Sequence, residues 1–249
     1  MSTRRRLDAE LVRRGLAPSR TEAQRLIEAG LVTVGGAAAA KPARLVDAGE
    51  AVLVLGPARR FVSRGGEKLE AALDEFAIDV TGLRVLDAGA STGGFTDCLL
   101  QRGAASVVAI DVGYGQLHEK LRADPRVDGR ERVHIRDVRP EHLGGEVDLV
   151  VGDLSFISLI KVTDPLVAAV RPGGDLVLLV KPQFEAGREE VAKGRGVITD
   201  PEIWRRTVNE VTAAFAAAGA TMMSQMVSPI HGAEGNTEFL VHFRRDAAS

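Results

Sequence analysis

From Arg84 onward the chain alternates short, largely apolar runs with longer helical ones, and few architectures accept that pattern. A run with no polar face must be covered on both sides, which is the condition of a central strand in a parallel sheet. The helical spacing between such runs supplies the crossovers that parallel neighbours need. Strands are predicted at Arg84–Asp87, Val107–Asp111, Arg132–Ile135, Val147–Gly152 and Asp175–Lys181, with late strands near Thr221–Val227 and Glu238–Arg244. Helices are expected at Gly66–Phe76, Gly94–Arg102, Leu159–Val170 and Pro201–Ala218. A last strand entering by a hairpin-like return would complete an α/β fold with a seven-stranded, mostly parallel sheet and an antiparallel edge.

The first 60 residues read differently. Leu7, Leu11, Val12 and Leu16 share one helical stripe, and Gly15 weakens its end. Ser19 with Glu22 opens a second helix as a capping box; Ala23, Leu26 and Ile27 give its apolar face, and Gly30 stops it. Leu31–Val34 alternates like a strand, Gly35-Gly36 turns, and Ala51–Leu55 is a further short strand. Gly56-Pro57-Ala58-Arg59-Arg60 reads as a linker. A small α/β module with its linker, 1–60, is therefore expected ahead of a larger domain, 61–249. The charge divides at the same place. Residues 1–60 hold 11 Lys+Arg against 6 Asp+Glu, and the remainder holds 21 against 28. A basic head on an acidic body suits contact with a polyanion at one end.

The lone cysteine, Cys98, excludes a disulfide framework and a Cys-rich metal centre, and inside a predicted helix it is expected as a packed thiol. His118, His134, His142, His231 and His242 show no metal-ligand spacing, so no metal is expected. The longest apolar runs, such as Leu176–Val180, fall far short of a membrane span. No apolar stretch follows the Arg-rich start, as a signal peptide would require. A cytoplasmic protein without membrane contact is expected, and no protein partner is indicated.

The first predicted strand runs into Asp87-Ala-Gly-Ala-Ser-Thr-Gly-Gly-Phe-Thr96, which opens a helix. Glycines at such a turn let the backbone approach a ligand, because they lack Cβ and accept positive φ. The tighter dinucleotide spacing is absent, since Gly89-Ala90-Ser91 lacks its second glycine. The wider loop suits a cofactor without a pyrophosphate. Asp111, ending the second strand, could accept from ribose hydroxyls, and Asp137, past the third, from an adenine amine. The loop resembles the cofactor site of class I methyltransferases, which implies a Rossmann-like sheet and S-adenosylmethionine. On that likeness Asp87, Gly89, Ala90, Ser91, Thr92, Gly93, Gly94, Phe95, Asp111, Asp137 and Asp153 are candidate cofactor contacts.

Two further strand ends carry charges toward the same edge. Asp153 closes Val150-Val-Gly-Asp-Leu-Ser-Phe156, and Lys181 opens Lys181-Pro-Gln-Phe184. With Lys68 upstream and Glu238 downstream, they resemble the Lys-Asp-Lys-Glu tetrad of the FtsJ/RrmJ-like ribose methyltransferases. Ser63-Arg-Gly-Gly-Glu-Lys-Leu69, Asp111-Val-Gly-Tyr-Gly115, Asp153 to Ser158, Lys181 to Glu185 and Glu234-Gly-Asn-Thr-Glu-Phe239 resemble the TlyA family of ribosomal RNA ribose methyltransferases, some of them named hemolysins. The N-terminal Leu7-Asp8, Gly15-Leu16-Ala17, Ser19-Arg20 and Ala23 to Val34 are similar to a module shared by a small-subunit ribosomal protein, pseudouridine synthases and TlyA. The resemblance covers nearly the whole chain. Phe61, where relatives tend to carry Tyr or Trp, and Gly35, where the module usually has Asn, depart from it.

The resemblance implies methylation of a cytidine 2′-hydroxyl in ribosomal RNA or a ribosomal subunit. Lys68, Asp153, Lys181 and Glu238 are then the catalytic candidates, with Lys181 as proton acceptor or as orienter of the hydroxyl. Both roles stay open, because a free lysine titrates near about 10.4 while burial and neighbouring charges act in opposite directions. Arg4, Arg5, Arg6, Arg13, Arg14, Arg20 and Arg25 in the module, with Arg64 beyond it, are candidate RNA contacts, since arginine forks suit phosphates. The Gly-rich, charged stretch Gln183–Ile198 is expected to form a mobile lid. An exocyclic-amine RNA methyltransferase is the first alternative, opposed by the absence of the prolines that such enzymes carry after the acidic residue. A membrane-active hemolysin is the second, opposed by the lack of a span or amphipathic membrane helix.

Overall fold

The computed structural model describes residues 4–17, 19–55, 60–232 and 234–247. The chain divides into two compact units, 1–60 and 61–249. Of the segment read as a linker, 56–59 lie outside the described residues.

The smaller unit runs β1 (Arg5–Arg6), α1 (Leu7–Arg13), α2 (Arg20–Glu28), β2 (Val32–Val34), β3 (Ala37–Ala38), β4 (Leu45–Val46) and β5 (Val52–Val54). β2 lies between β3 and β5 in an antiparallel sheet, and β1 pairs with β4. The Glu22 amide donates to Ser19 Oγ, capping α2. Leu7 and Leu11 of α1 pack with Ala23 and Ile27 of α2 and with Val32 and Val34 of β2 in one core.

The larger unit runs α3 (Gly65–Glu75), β6 (Arg84–Ala88), α4 (Gly94–Gln101), β7 (Ser106–Asp111), α5 (Glu119–Arg122), β8 (Val127–Glu131), α6 (Pro140–Leu143), β9 (Val147–Gly152), α7 (Thr163–Ala169), β10 (Val170–Val180), α8 (Pro182–Glu185), α9 (Arg188–Lys193), α10 (Pro201–Ala217), β11 (Ala220–Val227) and β12 (Phe239–Arg245). Its seven strands lie in the order β11-β12-β10-β9-β6-β7-β8. The five strands from β10 to β8 are parallel, while β12 is antiparallel to both of its neighbours. Alternation within the apolar runs builds the two layers. Val85, Val107, Leu149, Val177 and Leu179 face a core shared with Leu69 of α3 and Leu99 of α4. Leu86, Val108, Val150, Leu176 and Leu178 face the opposite core, with Leu166 of α7 and Phe215 of α10.

Two expectations are corrected. The antiparallel strand sits one place in from the edge: β12 is buried along most of its length and takes the interior, leaving the half-exposed β11 outside. The third strand is not Arg132–Ile135 but the polar β8, because an edge strand needs little apolar surface; Ile135 instead opens a turn of 3-10 helix. The stretch Gln183–Ile198 carries its own helices and contacts. It forms α8 and α9, and Arg206 bonds Glu190, Asn236 bonds Gly196 and Ile198, and the Trp204 indole donates to the Ile198 carbonyl.

This topology creates the site. Parallel strands deliver their carboxyl ends to one edge of the sheet. The reversed β12 begins at that same edge, with Phe239 opposite Val180, so Glu238 arrives beside Lys181 from the far end of the chain.

Candidate active site

The turn from β6 to α4 is shaped by contacts only glycine permits. Gly89 has φ +84°, and a Cβ there would lie 2.9 Å from the carbonyl oxygen of Asp153. Gly94 packs so closely that a Cβ would meet Ser63 Oγ and, at 2.9 Å, the amide of Gly66. Ser91 also takes positive φ, at 49°, and its amide donates to Asp111 Oδ2 at 2.8 Å. The other Asp111 oxygen accepts from Gly113 at 2.7 Å. Asp111 thus anchors the loop while lining the cleft beside it.

That cleft, about 510 Å³, is walled by Gly89, Ser91, Asp111, Val133–Arg136 and Asp153–Ile157. Asp137 is exposed at the end of its 3-10 turn and is not on this wall. Asp87 is fully buried behind the loop. Thr96 Oγ1 donates to its Oδ2 at 2.6 Å, while Oδ1 has no hydrogen-bond partner among the described residues. Burial pushes its carboxyl up to about 7; the bonds from Thr96 pull it down, and the charges of Asp153 and Asp111 push it further up.

A second cavity adjoins the first through Gly89, Ser91, Asp153 and Ser155. Lys68, Asp153, Lys181 and Glu238 all line it, together with Ala90, Thr92, Gly94, Phe95, Arg64 and His231. The four charged groups form two ion pairs. Lys68 Nζ lies 2.5 Å from Glu238 Oε2, and Lys181 Nζ lies 2.5 Å from Asp153 Oδ1. Both lysines are buried, so each cation needs its carboxylate to be tolerated there. Lys181 Nζ also donates to Ser155 Oγ at 2.8 Å. Among the described residues no group of three His, Cys, Asp or Glu is placed to hold a metal, and no helix is long and apolar enough to cross a membrane.

Comparison with known proteins places this geometry. The profile of FtsJ-like methyltransferases matches residues 61–245, and that of the S4 domain matches residues 5–52. The 16S/23S rRNA (cytidine-2′-O)-methyltransferase TlyA of Mycobacterium tuberculosis is 51% identical over 245 residues, covering 98% of this chain and 91% of that protein. The chain belongs to the FtsJ-like methyltransferase family, in its TlyA group. A solved structure of a candidate hemolysin from Streptococcus thermophilus is 40% identical, with a TM-score of 0.80 over 99% of this chain and 90% of that one. An S-adenosylmethionine-dependent methyltransferase from Mesorhizobium loti shares the fold, at TM-score 0.55 and 19% identity over 74% of this chain and 100% of its own.

In this FtsJ-like chain the sequence reasoning missed Ser155, the hydrogen-bond partner of Lys181, and Glu185. Glu185 accepts from Ser158 Oγ at 2.5 Å and from the Leu159 amide at 2.8 Å, and burial pushes its carboxyl up. Spacing was the available signal for Ser155, since a residue two places after Asp153 on an extended segment shares its side. Phe156 was missed as well. It is 92% exposed, takes φ +63°, and sets its ring 5.3 Å from that of Phe184.

Four of the module's arginines bond buried carboxylates. Arg6 and Arg20 both bond Asp8, which Gln24 and the Ala9 amide also donate to; Arg6 above all holds its carboxyl far below the usual range. Arg13, ahead of Arg14, holds Glu10 down at about 2. Arg14 differs from the rest: its guanidinium bonds Glu10 and the carbonyls of Glu50, Asp47 and Ala48, so its donors are spent inside the fold. Arg4 pairs with Asp47 at the surface.

Proposed function

We propose that this chain methylates the ribose 2′-hydroxyl of a cytidine in ribosomal RNA, with S-adenosylmethionine as donor. The observation that carries the reading is the pair of lysine–carboxylate contacts lining one cavity beside the glycine turn. The residues present fit the donor. Gly89 brings backbone within reach of a ligand, Asp111 keeps acceptor capacity at a strand end, and the cleft volume lies in the ordinary range for a small ligand. Gly89 to Ser91 and Asp111 would hold the nucleoside, with Ile135 and Leu154 as apolar walls. Bound there, the donor supplies a methyl group on a cationic sulfur.

The chain's own residues do the rest. Lys181, charge-compensated by Asp153, donates to the 2′-oxygen and holds it in line with the methyl group, and such alignment is the larger part of the rate gain. As the oxygen takes up the methyl group, its hydroxyl proton would pass to the Lys181–Asp153 pair. Lys68 and Glu238 close the other side of the cavity and keep its net charge near balance. The exposed Phe156 ring offers a stacking face for a base, which suits a nucleotide drawn out of structured RNA. Residues 1–60 would anchor the RNA and 61–249 would perform the transfer. Arg4, Arg6, Arg13, Arg20 and Arg25 would bind phosphates, preorganised in three cases by Asp8 and Glu10. The place of action would be the cytoplasm, where ribosomes are.

The test uses purified chain, ribosomal subunits and isotope-labelled donor. Label should survive alkaline hydrolysis at one or more cytidines, because a 2′-O-methyl group blocks that cleavage, and reverse-transcription stops should map the position. Lys181→Ala should bind donor and transfer nothing. Label on the base, or full turnover by Lys181→Ala, would overturn the assignment.

A further inference from the structure

Lys181 has a partner that the four charged residues leave out. Its Nζ lies 2.5 Å from Asp153 Oδ1, yet that oxygen makes no hydrogen bond among the described residues. The contact balances charge, and its geometry falls outside that of a well-aligned hydrogen bond. The directed bond runs to Ser155 Oγ, at 2.8 Å. Attraction between opposite charges depends on distance and leaves an ammonium free to spin on its flexible stem, whereas a hydrogen bond fixes an angle. Asp153 and Ser155 therefore do different things to the same nitrogen.

The serine is also held in place. Ser155 lines both the nucleoside cleft and the cavity of the two ion pairs. Its loop is tied to the far side of Lys181 by Glu185, which bonds Ser158 and Leu159. The strand end carrying Lys181 and the loop carrying Ser155 are thereby braced together. The Phe184 ring, 5.8 Å from Nζ at its centroid, crowds a further side of the ammonium. An ammonium has three hydrogens. One is committed to Ser155 and one side faces Asp153, which leaves a hydrogen available to the cavity that all three residues line.

We propose that Ser155 is a positioning residue for methyl transfer: its hydroxyl sets the rotation of the Lys181 ammonium so that a remaining N–H meets the substrate oxygen. The role rests on the function proposed above and goes beyond the charged tetrad. Without Ser155 the lysine would keep its counter-charge and lose its well-aligned partner. No atom of Ser155 changes its bonding in the reaction.

Steady-state turnover on ribosomal subunits, with calorimetric binding of the donor, tests this in Ser155→Ala, Ser155→Cys and Ser155→Thr. The alanine variant should lose about tenfold in kcat, the scale of one hydrogen bond to a charged group, with RNA KM and donor Kd within about twofold of wild type. Threonine, which keeps the hydroxyl, should restore kcat to within about threefold, and cysteine, of similar size but a weaker acceptor, should fall between. The kcat–pH limb that reports the Lys181–Asp153 pair should move to lower pH in the alanine variant, because an acceptor to the cation is gone. A purely packing role would leave that limb in place and would not be rescued by threonine. Either that result, or wild-type kcat in the alanine variant, overturns the proposal. Should alanine abolish donor binding, the cysteine variant carries the same comparison, and wild-type kcat there is equally fatal. Wild-type chain that methylates nothing sinks the underlying reading and the serine's role together; active wild type, inactive Lys181→Ala and unaffected Ser155 variants sink the serine alone.

Discussion

Replacing Asp87 with asparagine should change how the stability of the larger unit depends on pH. The side chain is fully buried, and burial raises its carboxyl from 3.8 to about 7. A carboxyl raised in this way binds its proton more tightly in the folded state than in the unfolded one. Its contribution is complete below pH about 3.8 and is lost as pH rises through about 7. The difference between 3.8 and about 7, at about 1.4 kcal/mol per tenfold change in proton affinity, bounds that loss at about 4 kcal/mol. Asparagine has nearly the same shape, can still accept from Thr96 Oγ1, and does not titrate. Urea unfolding of wild type and Asp87→Asn, followed through the fluorescence of Trp204, isolates the effect, because Trp204 is the one tryptophan and lies in the larger unit. Subtracting the two series cancels other groups such as Glu185, which is also raised by burial. From pH 5 to pH 8 the stability difference should shift toward the asparagine variant by roughly 2–4 kcal/mol. A difference that stays constant over that range would refute the reasoning, since it would mean that Asp87 carries the same charge folded and unfolded.

Two other outcomes are expected. Gly89→Ala forces a Cβ to within 2.9 Å of the Asp153 carbonyl at φ +84°, so donor affinity should fall more than about tenfold and the unit should lose about 2 kcal/mol; unchanged calorimetric affinity would mean that the turn does not hold the donor. Phe156→Ala removes an exposed ring whose stacking on a base is worth about 1–3 kcal/mol, so RNA KM should rise about tenfold with donor Kd unchanged. A shift in donor Kd instead would place the ring against the nucleoside.

Much of this arrangement is legible in the sequence because burial on both faces leaves little choice of residue. The run Val147–Gly152 is the strand β9 as expected, and β6, β7 and β11 differ from expectation by a residue at their ends. The edge is where reading fails. β8 presents Asp128 and Gly129 to solvent, so its sequence lacks the apolar signal, while Val133 and Ile135 alternate like a strand and pack at a turn. Strand order is equally hidden, because whether β11 or β12 takes the edge depends on a comparison of burial across the sheet. The charged site residues stand out for a simple reason: Asp153 and Lys181 each follow an apolar run. Ser155 does not, since its importance lies in an angle at another residue's nitrogen. Arg14 shows the converse, a basic residue among exposed ones whose donors turn out to be occupied by three carbonyls and a carboxylate.

The contact between Lys68 and Glu238 joins positions 170 apart in the chain. Helix α3 is among the first pieces of the larger unit to be synthesised, and β12 is the last strand. A growing polypeptide therefore lacks this contact until β12 has emerged and slotted between β10 and β11. On the function proposed above, a chain cut just before Glu238 would lack that carboxylate and β12 and should transfer no methyl group.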